Sequence, residues 1–185
     1  MEKKPKVFMV CGISGSGKTA FSKKLELSGV PRISMDEELW PDFYVLGNLI
    51  SDEHKDFLYR QATERIFAKI RNFCAEGRAC SVDMPFCKVV QRDIFRAHVE
   101  SCGGEPVLIW INTDLAVLKS RLADRAGKNG PNNLPVSEEE IEMFDFEKED
   151  EDPDYRNVYV RRENEDYVIE GKQLRKIFNS TNFND

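Results

Sequence analysis

The chain has 185 residues, of which 41% are hydrophobic and 32% charged, a balance typical of a single globular domain spanning residues 1–185. Its net charge of −6 weighs against a protein that holds nucleic acid through the phosphate backbone. No apolar run approaches the ~20 residues that a membrane-spanning helix needs, and the basic N-terminus does not read as a signal peptide. Five cysteines without a C-x-x-C spacing and two distant histidines predict reduced thiols, a cytoplasmic location and no structural zinc site.

The first predicted elements are a strand from Val7 to Cys11, a glycine-rich loop, and a helix from Ala20 to Leu27. The loop matches the pattern G-x-x-x-x-G-K-[ST] at every fixed position. Its residues are Gly12, Ile13, Ser14, Gly15, Ser16, Gly17, Lys18 and Thr19. Strand, loop and helix in this order are the context that the motif requires. We therefore interpret the loop as a phosphate-binding loop rather than a glycine-rich turn with an incidental lysine.

Each residue type in this loop has a chemical reason. The glycines permit positive φ, so successive backbone amides can turn toward a polyphosphate. The helix that follows presents the positive end of its dipole to the same anion. Lys18 is predicted to reach the β- and γ-phosphates, and the Thr19 hydroxyl is predicted to bind Mg²⁺.

Two further predicted strands each end in an aspartate. The second strand runs from Pro31 to Asp36, and the third covers residues 79–82 and ends at Asp83. In parallel sheets the ligand lies beyond the carboxyl ends of the strands, so either acid is a candidate general base or magnesium-associated group. The alternative for each is a helix cap or a solvated loop acid.

Between these strands, residues 37–48 are rich in aromatic side chains and interrupted by Pro41, which predicts a short helix and a loop. Trp40, in this stretch, is a weak candidate for the wall of an acceptor pocket, and packing against the core explains it equally well. Ser51 then caps a predicted long helix from Asp52 to about Ala75.

In the second half of the chain, a helix from Val89 to Ser101 and a strand from Pro106 to Ile111 precede a helix from Leu115 to about Arg125. A segment rich in glycine, proline and asparagine follows, and we expect residues 126–136 to form a mobile lid. Two short strands are predicted near residues 157–160 and 167–169, and residues 180–185 are predicted to form a frayed tail.

Three arginines are further site candidates. Arg121 and Arg125 lie at i and i+4 on one helix, just ahead of the predicted lid, where they could close over a transferring phosphoryl group. The alternative is a pair of surface arginines bridged to nearby acids. Arg92, on the helix after Asp83, is a weaker candidate for binding substrate.

Together these motifs resemble the small P-loop kinases grouped with zeta toxins, chloramphenicol phosphotransferase, gluconate kinase and the kinase domain of polynucleotide kinase. The resemblance covers roughly residues 6–160 and is carried by Gly12–Thr19, Ile33–Asp36, Val82–Asp83, Arg92, Arg121–Arg125 and Pro135–Glu140. It implies a three-layer α/β fold with a mainly parallel five-stranded sheet, the first strand central, plus the lid. It also implies that Asp36 is the general base, that Arg121 and Arg125 engage phosphates, and that ATP is the donor.

One departure bears on the substrate. Polynucleotide kinases carry an arginine three residues after the base, where this chain has Leu39, and this counts against a nucleic-acid hydroxyl as acceptor. We therefore expect ATP- and Mg²⁺-dependent transfer of the γ-phosphoryl group to a hydroxyl of a small molecule. The alternatives are a nucleoside, nucleotide or nucleotide-sugar kinase of the zeta-toxin kind, and a nucleotide-binding switch or partner-binding module with little turnover. The sequence identifies neither the acceptor nor the oligomeric state.

Overall fold

A computed structural model of the chain describes residues 4–46, 51–111, 113, 115–124 and 130. Strands and helices alternate along most of this part, as expected for an α/β fold. The elements in chain order are β1 Lys6–Cys11, α1 Lys18–Leu27, β2 Arg32–Ser34, α2 Met35–Leu46, α3 Asp52–Ala75, β3 Cys80–Asp83, α4 Val89–Ser101, β4 Glu105–Trp110 and α5 Leu115–Ala123. None of the described helices is long and apolar enough to cross a membrane.

The four described strands form one parallel sheet in the order β2-β3-β1-β4. Val7 pairs with Cys80 on one side of β1, and Lys6 pairs with Glu105 on the other. This confirms the parallel α/β fold with the first strand inside the sheet. The predicted fifth strand, the lid at residues 126–136 and the tail at residues 180–185 lie outside the described residues, apart from Gly130.

The core has two layers because side chains of a strand point alternately to opposite faces of the sheet. Val7, Met9 and Cys11 belong to one buried cluster, and Phe8 and Val10 belong to the other. Helices α3 and α4 cover the first face, and α1 covers the second. The three-layer arrangement therefore places the phosphate loop at the carboxyl end of an internal strand.

Helix α3 has the bounds that the sequence predicts. The Ser51 side chain accepts a hydrogen bond from the His54 amide at 3.3 Å, which satisfies one of the free N–H groups at the helix start. Leu58, Ala62 and Ile66 recur at a spacing of four and are each at most 7% exposed, so this face packs against the sheet.

Helix α2 differs from the sequence-based expectation. The structure has a 12-residue helix with Pro41 inside it, where we expected a short helix and a loop. The missing N–H of Pro41 weakens one turn, but the Arg65 guanidinium of α3 donates to the neighbouring Glu38 carbonyl at 2.6 Å. Arg65 also pairs with the Glu38 carboxylate at 3.1 Å, and Lys69 contacts the same carboxylate. These contacts hold α2 against α3, so tertiary packing outweighs the local effect of proline.

We predict that Ile66→Ala lowers the free energy of unfolding by about 2–5 kcal/mol, because Ile66 is fully buried and its removal leaves a cavity. Ile94→Ala is the matched control, since Ile94 on α4 is 52% exposed, and we expect it to cost less than about 0.5 kcal/mol. Urea unfolding followed by circular dichroism measures both. Equal costs for the two variants would contradict the placement of α3.

Candidate functional site

The phosphate loop has a backbone that only glycine adopts easily at three positions. Gly12, Gly15 and Gly17 have φ values of 143°, 83° and 100°. At Gly12 a Cβ atom would also lie 2.6 Å from the Ile111 carbonyl oxygen and 2.7 Å from Ser16 Oγ. Gly17 is the N-cap of α1, so the loop passes directly into the first turn of that helix.

Side chains from distant parts of the sequence hold the loop carbonyls. Thr113 Oγ1 donates to the Ser16 carbonyl at 3.0 Å, and Arg121 donates to the Gly15 and Ser16 carbonyls at 3.1 and 3.4 Å. The Ser16 carbonyl and the Gly17 N–H belong to one trans peptide and point in opposite directions. The hydrogen bonds to this carbonyl therefore direct the Gly17 amide away from α5. Lys18 Nζ donates to the Ile13 carbonyl at 3.0 Å and so lies over the loop.

Asp83, at the end of β3, lies beside the loop and is 4% exposed. Its carboxylate accepts a hydrogen bond from the Thr19 side chain. Burial raises the pKa of Asp83, while Lys18, the Thr19 hydrogen bond and Arg32 act in the opposite direction. A hydroxyl and a carboxylate are ligands that Mg²⁺ accepts, and in nucleotide sites water and phosphate complete its shell. Thr19 and Asp83 therefore fit a magnesium–nucleotide complex.

Asp36 lies one residue into α2, where sequence reasoning placed it at the end of a strand. The strand β2 stops at Ser34, and Asp36 sits half-buried in the first turn of the helix. Burial raises the pKa of Asp36 to about 6, Lys18 lowers it, and Asp83 raises it. The structure thus brings Asp36, Asp83 and Lys18 into one electrostatic cluster.

Arg32 completes this cluster, and sequence reasoning missed it. Its guanidinium pairs with Asp83 at 3.3 Å and also contacts Glu37, and the Arg32 side chain is 5% exposed. Its Nε atom is buried without a hydrogen-bond partner in the described part of the chain. The sequence did contain one signal for this role, namely a cation inside a short strand that ends two residues before an acid. A charge buried in a strand requires a partner, so this pattern predicts an ion pair.

A cleft of about 520 Å³ opens beside the two acids. Its walls come from α3, the segment after β3, and the start of α4. Met35, which precedes Asp36, and Met84, which follows Asp83, both line it. Pro85, another lining residue, accepts a hydrogen bond from the Gly12 amide at 3.0 Å. The cleft therefore adjoins the phosphate loop.

The other predicted site residues have different surroundings. Arg92 is fully buried and donates to the carbonyls of Phe86 at 2.7 Å and Cys87 at 3.2 Å. It therefore braces the segment between β3 and α4, where Phe86 has a φ of 49°, and it does not line the cleft. Trp40 is half-buried on α2 and does not line the cleft either. Arg125 lies outside the described residues.

The raised pKa of Asp36 predicts a pH dependence of stability. Between about pH 4 and 6 the folded protein keeps the Asp36 proton that the unfolded chain has lost, so the free energy of unfolding falls as pH rises through this window. Asp36→Asn removes this effect. At pH 8 we expect the variant to be more stable than wild type by about 1–2 kcal/mol, because one pKa unit corresponds to about 1.4 kcal/mol and the half-buried carboxylate keeps part of its hydration.

Urea unfolding of both proteins at pH 4 and pH 8, without nucleotide, measures this difference. Asp93→Asn is the control, since Asp93 is a surface residue of α4 with a side chain 60% exposed. A stability difference between Asp36→Asn and wild type that is the same at both pH values would contradict the prediction.

Comparison with known proteins agrees with this geometry. Residues 7–145 match the family model described as an AAA domain. No curated protein matches the chain. Solved structures similar to it share its fold at low sequence identity.

Three examples each cover 94% of this chain. A protein from Chloroflexus aurantiacus, whose assignment as a kinase is itself provisional, has a TM-score of 0.74 at 18% identity, over 94% of this chain and 98% of that one. Chaetomium thermophilum Kti12 in complex with ADP-AlF3 has a TM-score of 0.66 at 13% identity, over 94% and 97%. Mycobacterium tuberculosis APS kinase, in complex with AMPPNP and APS, has a TM-score of 0.58 at 18% identity, over 94% and 96%. The chain therefore belongs to the AAA domain family, and its fold is that of the P-loop kinases.

Proposed function

We propose that the protein is a Mg²⁺-dependent phosphotransferase that moves the γ-phosphoryl group of ATP to a hydroxyl of a small molecule. One observation carries this proposal: a phosphate loop, two carboxylates and a cleft of small-molecule size meet at the carboxyl edge of the sheet. Similar folds bind AMPPNP with APS, and ADP-AlF3, which supports a nucleotide in the loop.

In this proposal the loop amides and Lys18 bind the phosphates. Lys18 would move its ammonium from the Ile13 carbonyl to the β- and γ-oxygens, where it offsets the charge that develops during transfer. Thr19 and Asp83 would hold Mg²⁺, because they bring a hydroxyl and a carboxylate close together. The ion itself supplies charge stabilisation of the phosphates.

Asp36 is the proposed general base. It is carried by the element that also lines the cleft, and its pKa of about 6 places it in the ionised form near neutral pH with more proton affinity than an ordinary aspartate. Asp36 would accept the proton of the acceptor hydroxyl as its oxygen attacks the γ-phosphorus, while the bond from that phosphorus to the bridging oxygen breaks and ADP leaves. The hydrogen bonds of Arg121 to the loop carbonyls give that residue a supporting role, and contact with phosphate would require it to leave them.

A nucleotide-binding switch is the rival from another class. A switch needs neither a base nor an acceptor cleft, whereas this chain has a half-buried carboxylate with a raised pKa and a cleft beside it. ATP turnover with and without a panel of hydroxylated metabolites separates the two. Strong stimulation by an acceptor supports the kinase, and none across a broad panel supports the switch.

We predict that Lys18→Ala lowers ATP turnover by ~10²-fold or more, because it removes a cation aimed at the developing charge. Lys23→Ala, on the exposed side of α1, should leave turnover within about twofold of wild type. Steady-state ADP release measures both, and melting temperature checks folding. Near wild-type turnover in Lys18→Ala would refute the proposed role of the loop.

We predict that Asp36→Asn lowers kcat by ~10²–10⁴-fold with little change in nucleotide Kd, since the amide keeps the shape but accepts no proton. The wild-type kcat/KM should rise with pH through about 6, and the variant should lack this rise. Asp83→Asn is the comparison: its defect should include weaker MgATP binding and should be partly recovered at high Mg²⁺. A rate of Asp36→Asn within about threefold of wild type would transfer the role of base to Asp83.

A further inference from the structure

The cleft has an apolar inner end. Met35 and Met84 line it and are 3% and 7% exposed, and Pro85 lies next to Met84. Methionine side chains are adaptable and pack against flat or irregular apolar groups. This end is therefore suited to the carbon skeleton of a ligand rather than to a heavily hydrated one.

The outer end carries positive charge from two walls. Arg60 on α3 and Lys88 at the start of α4 are both exposed lining residues, and the positive end of the α4 dipole lies at Lys88. Asp56, one turn before Arg60, is the carboxylate among the lining residues. Arg60 Nε donates to the backbone carbonyl of Asp56 at 3.4 Å, so its guanidinium is held by the backbone and not by an ion pair with that carboxylate.

The two ends together give the cleft an electrical polarity. Asp36 directly follows the buried lining residue Met35, Asp83 directly precedes the buried lining residue Met84, and Arg60 and Lys88 are the exposed cations of the lining. A ligand with one anionic group would be repelled from the acids and attracted to the outer cations. Its opposite end, carrying the hydroxyl, would then face Asp36.

We propose that the acceptor is a small molecule with an apolar or ring-shaped body and an anionic oxygen group, a carboxylate or a phosphate ester, that Arg60 and Lys88 bind. This inference rests on the proposed function, because it names the substrate class of the same site. The volume of about 520 Å³ lies within the range of small-molecule pockets. Arg60 is the specificity-determining residue, since its planar guanidinium can bind both oxygens of a carboxylate or phosphate.

The test uses paired probes that differ in charge. The pairs are para-hydroxymethylbenzoate with para-hydroxymethylbenzamide, and trans-4-(hydroxymethyl)cyclohexanecarboxylate with its carboxamide. The amine para-hydroxymethylbenzylamine and an oligonucleotide with a 5′-hydroxyl complete the panel. Calorimetry measures the Kd of each probe for the full chain with Mg²⁺ and AMPPNP. ADP release with ATP measures turnover separately. We expect the acid of at least one pair to bind about tenfold or more tightly than its neutral partner.

Variants then locate the charge effect. Arg60→Gln should reduce the preference for the acid to about twofold or less, and Arg60→Glu should reverse it. Arg71→Gln, an exposed arginine of the same helix that does not line the cleft, should leave the preference unchanged. Tighter binding of the neutral probe, the amine or the oligonucleotide than of the acid would overturn the inference. It would also be overturned if no acid bound, or if Arg60→Gln kept the wild-type preference for the acid.

The two readouts separate this inference from the proposed function. Tight binding of an acid that never stimulates ADP release would support an anionic ligand at Arg60 and contradict the proposed kinase activity. Phosphorylation of a neutral or cationic probe in preference to its acid would retain the kinase and contradict the substrate class.

Discussion

The buried ion pair between Arg32 and Asp83 connects the parts of the candidate site. Arg32 belongs to β2, Asp83 to β3, and the Arg32 guanidinium also contacts Glu37 in the first turn of α2. Asp83 in turn accepts a hydrogen bond from Thr19 on α1. One buried charge interaction therefore sets the position of the phosphate loop relative to the element that carries Asp36. Breaking such a pair is costly because it leaves an uncompensated charge in a medium of low polarity.

The same charges explain why the cluster suits a metal–nucleotide complex. Three carboxylates, those of Asp36, Glu37 and Asp83, lie near the two cations Lys18 and Arg32. Burial raises the pKa of both aspartates, so the folded protein holds their ionised forms at a cost. A divalent cation would relieve this cost at Asp83, and a proton from an acceptor would relieve it at Asp36. Stability and chemistry thus oppose each other at this edge of the sheet.

The loop depends on distant parts of the chain as well as on its own glycines. Thr113 and Arg121 hold its carbonyls, and a Cβ at Gly15 would lie 3.3 Å from Leu122 of α5. Arg92, fully buried, holds the backbone of the segment that follows Asp83. These arginines act on the backbone that surrounds the proposed reaction site. Their positive charge is used to satisfy carbonyl oxygens in the interior.

The sequence by itself determined the elements whose signals are local. The motif Gly12–Thr19 with its flanking strand and helix predicted the loop, and Ser51 with a periodic apolar face predicted the bounds of α3. The alternation of strands and helices predicted a parallel sheet, and the structure has one. Such signals depend on residues within about one or two turns of each other, so they can be read without knowledge of the fold.

Only the tertiary structure decided which distant residues meet. Pro41 predicted a break in α2, but Arg65 and Lys69 of α3 hold this helix. Asp36 lies in the first turn of α2 instead of at a strand end. The pairing of Arg32 with Asp83 follows from the strand order, which puts β2 beside β3, and a single sequence does not contain that order. The burial of Arg92 and the position of Arg121 on the loop carbonyls likewise depend on how helices pack on the sheet. The physical reason is the same in each case: a charged side chain takes the partner that the packed chain provides, and for Arg121 that partner is 106 residues away in sequence.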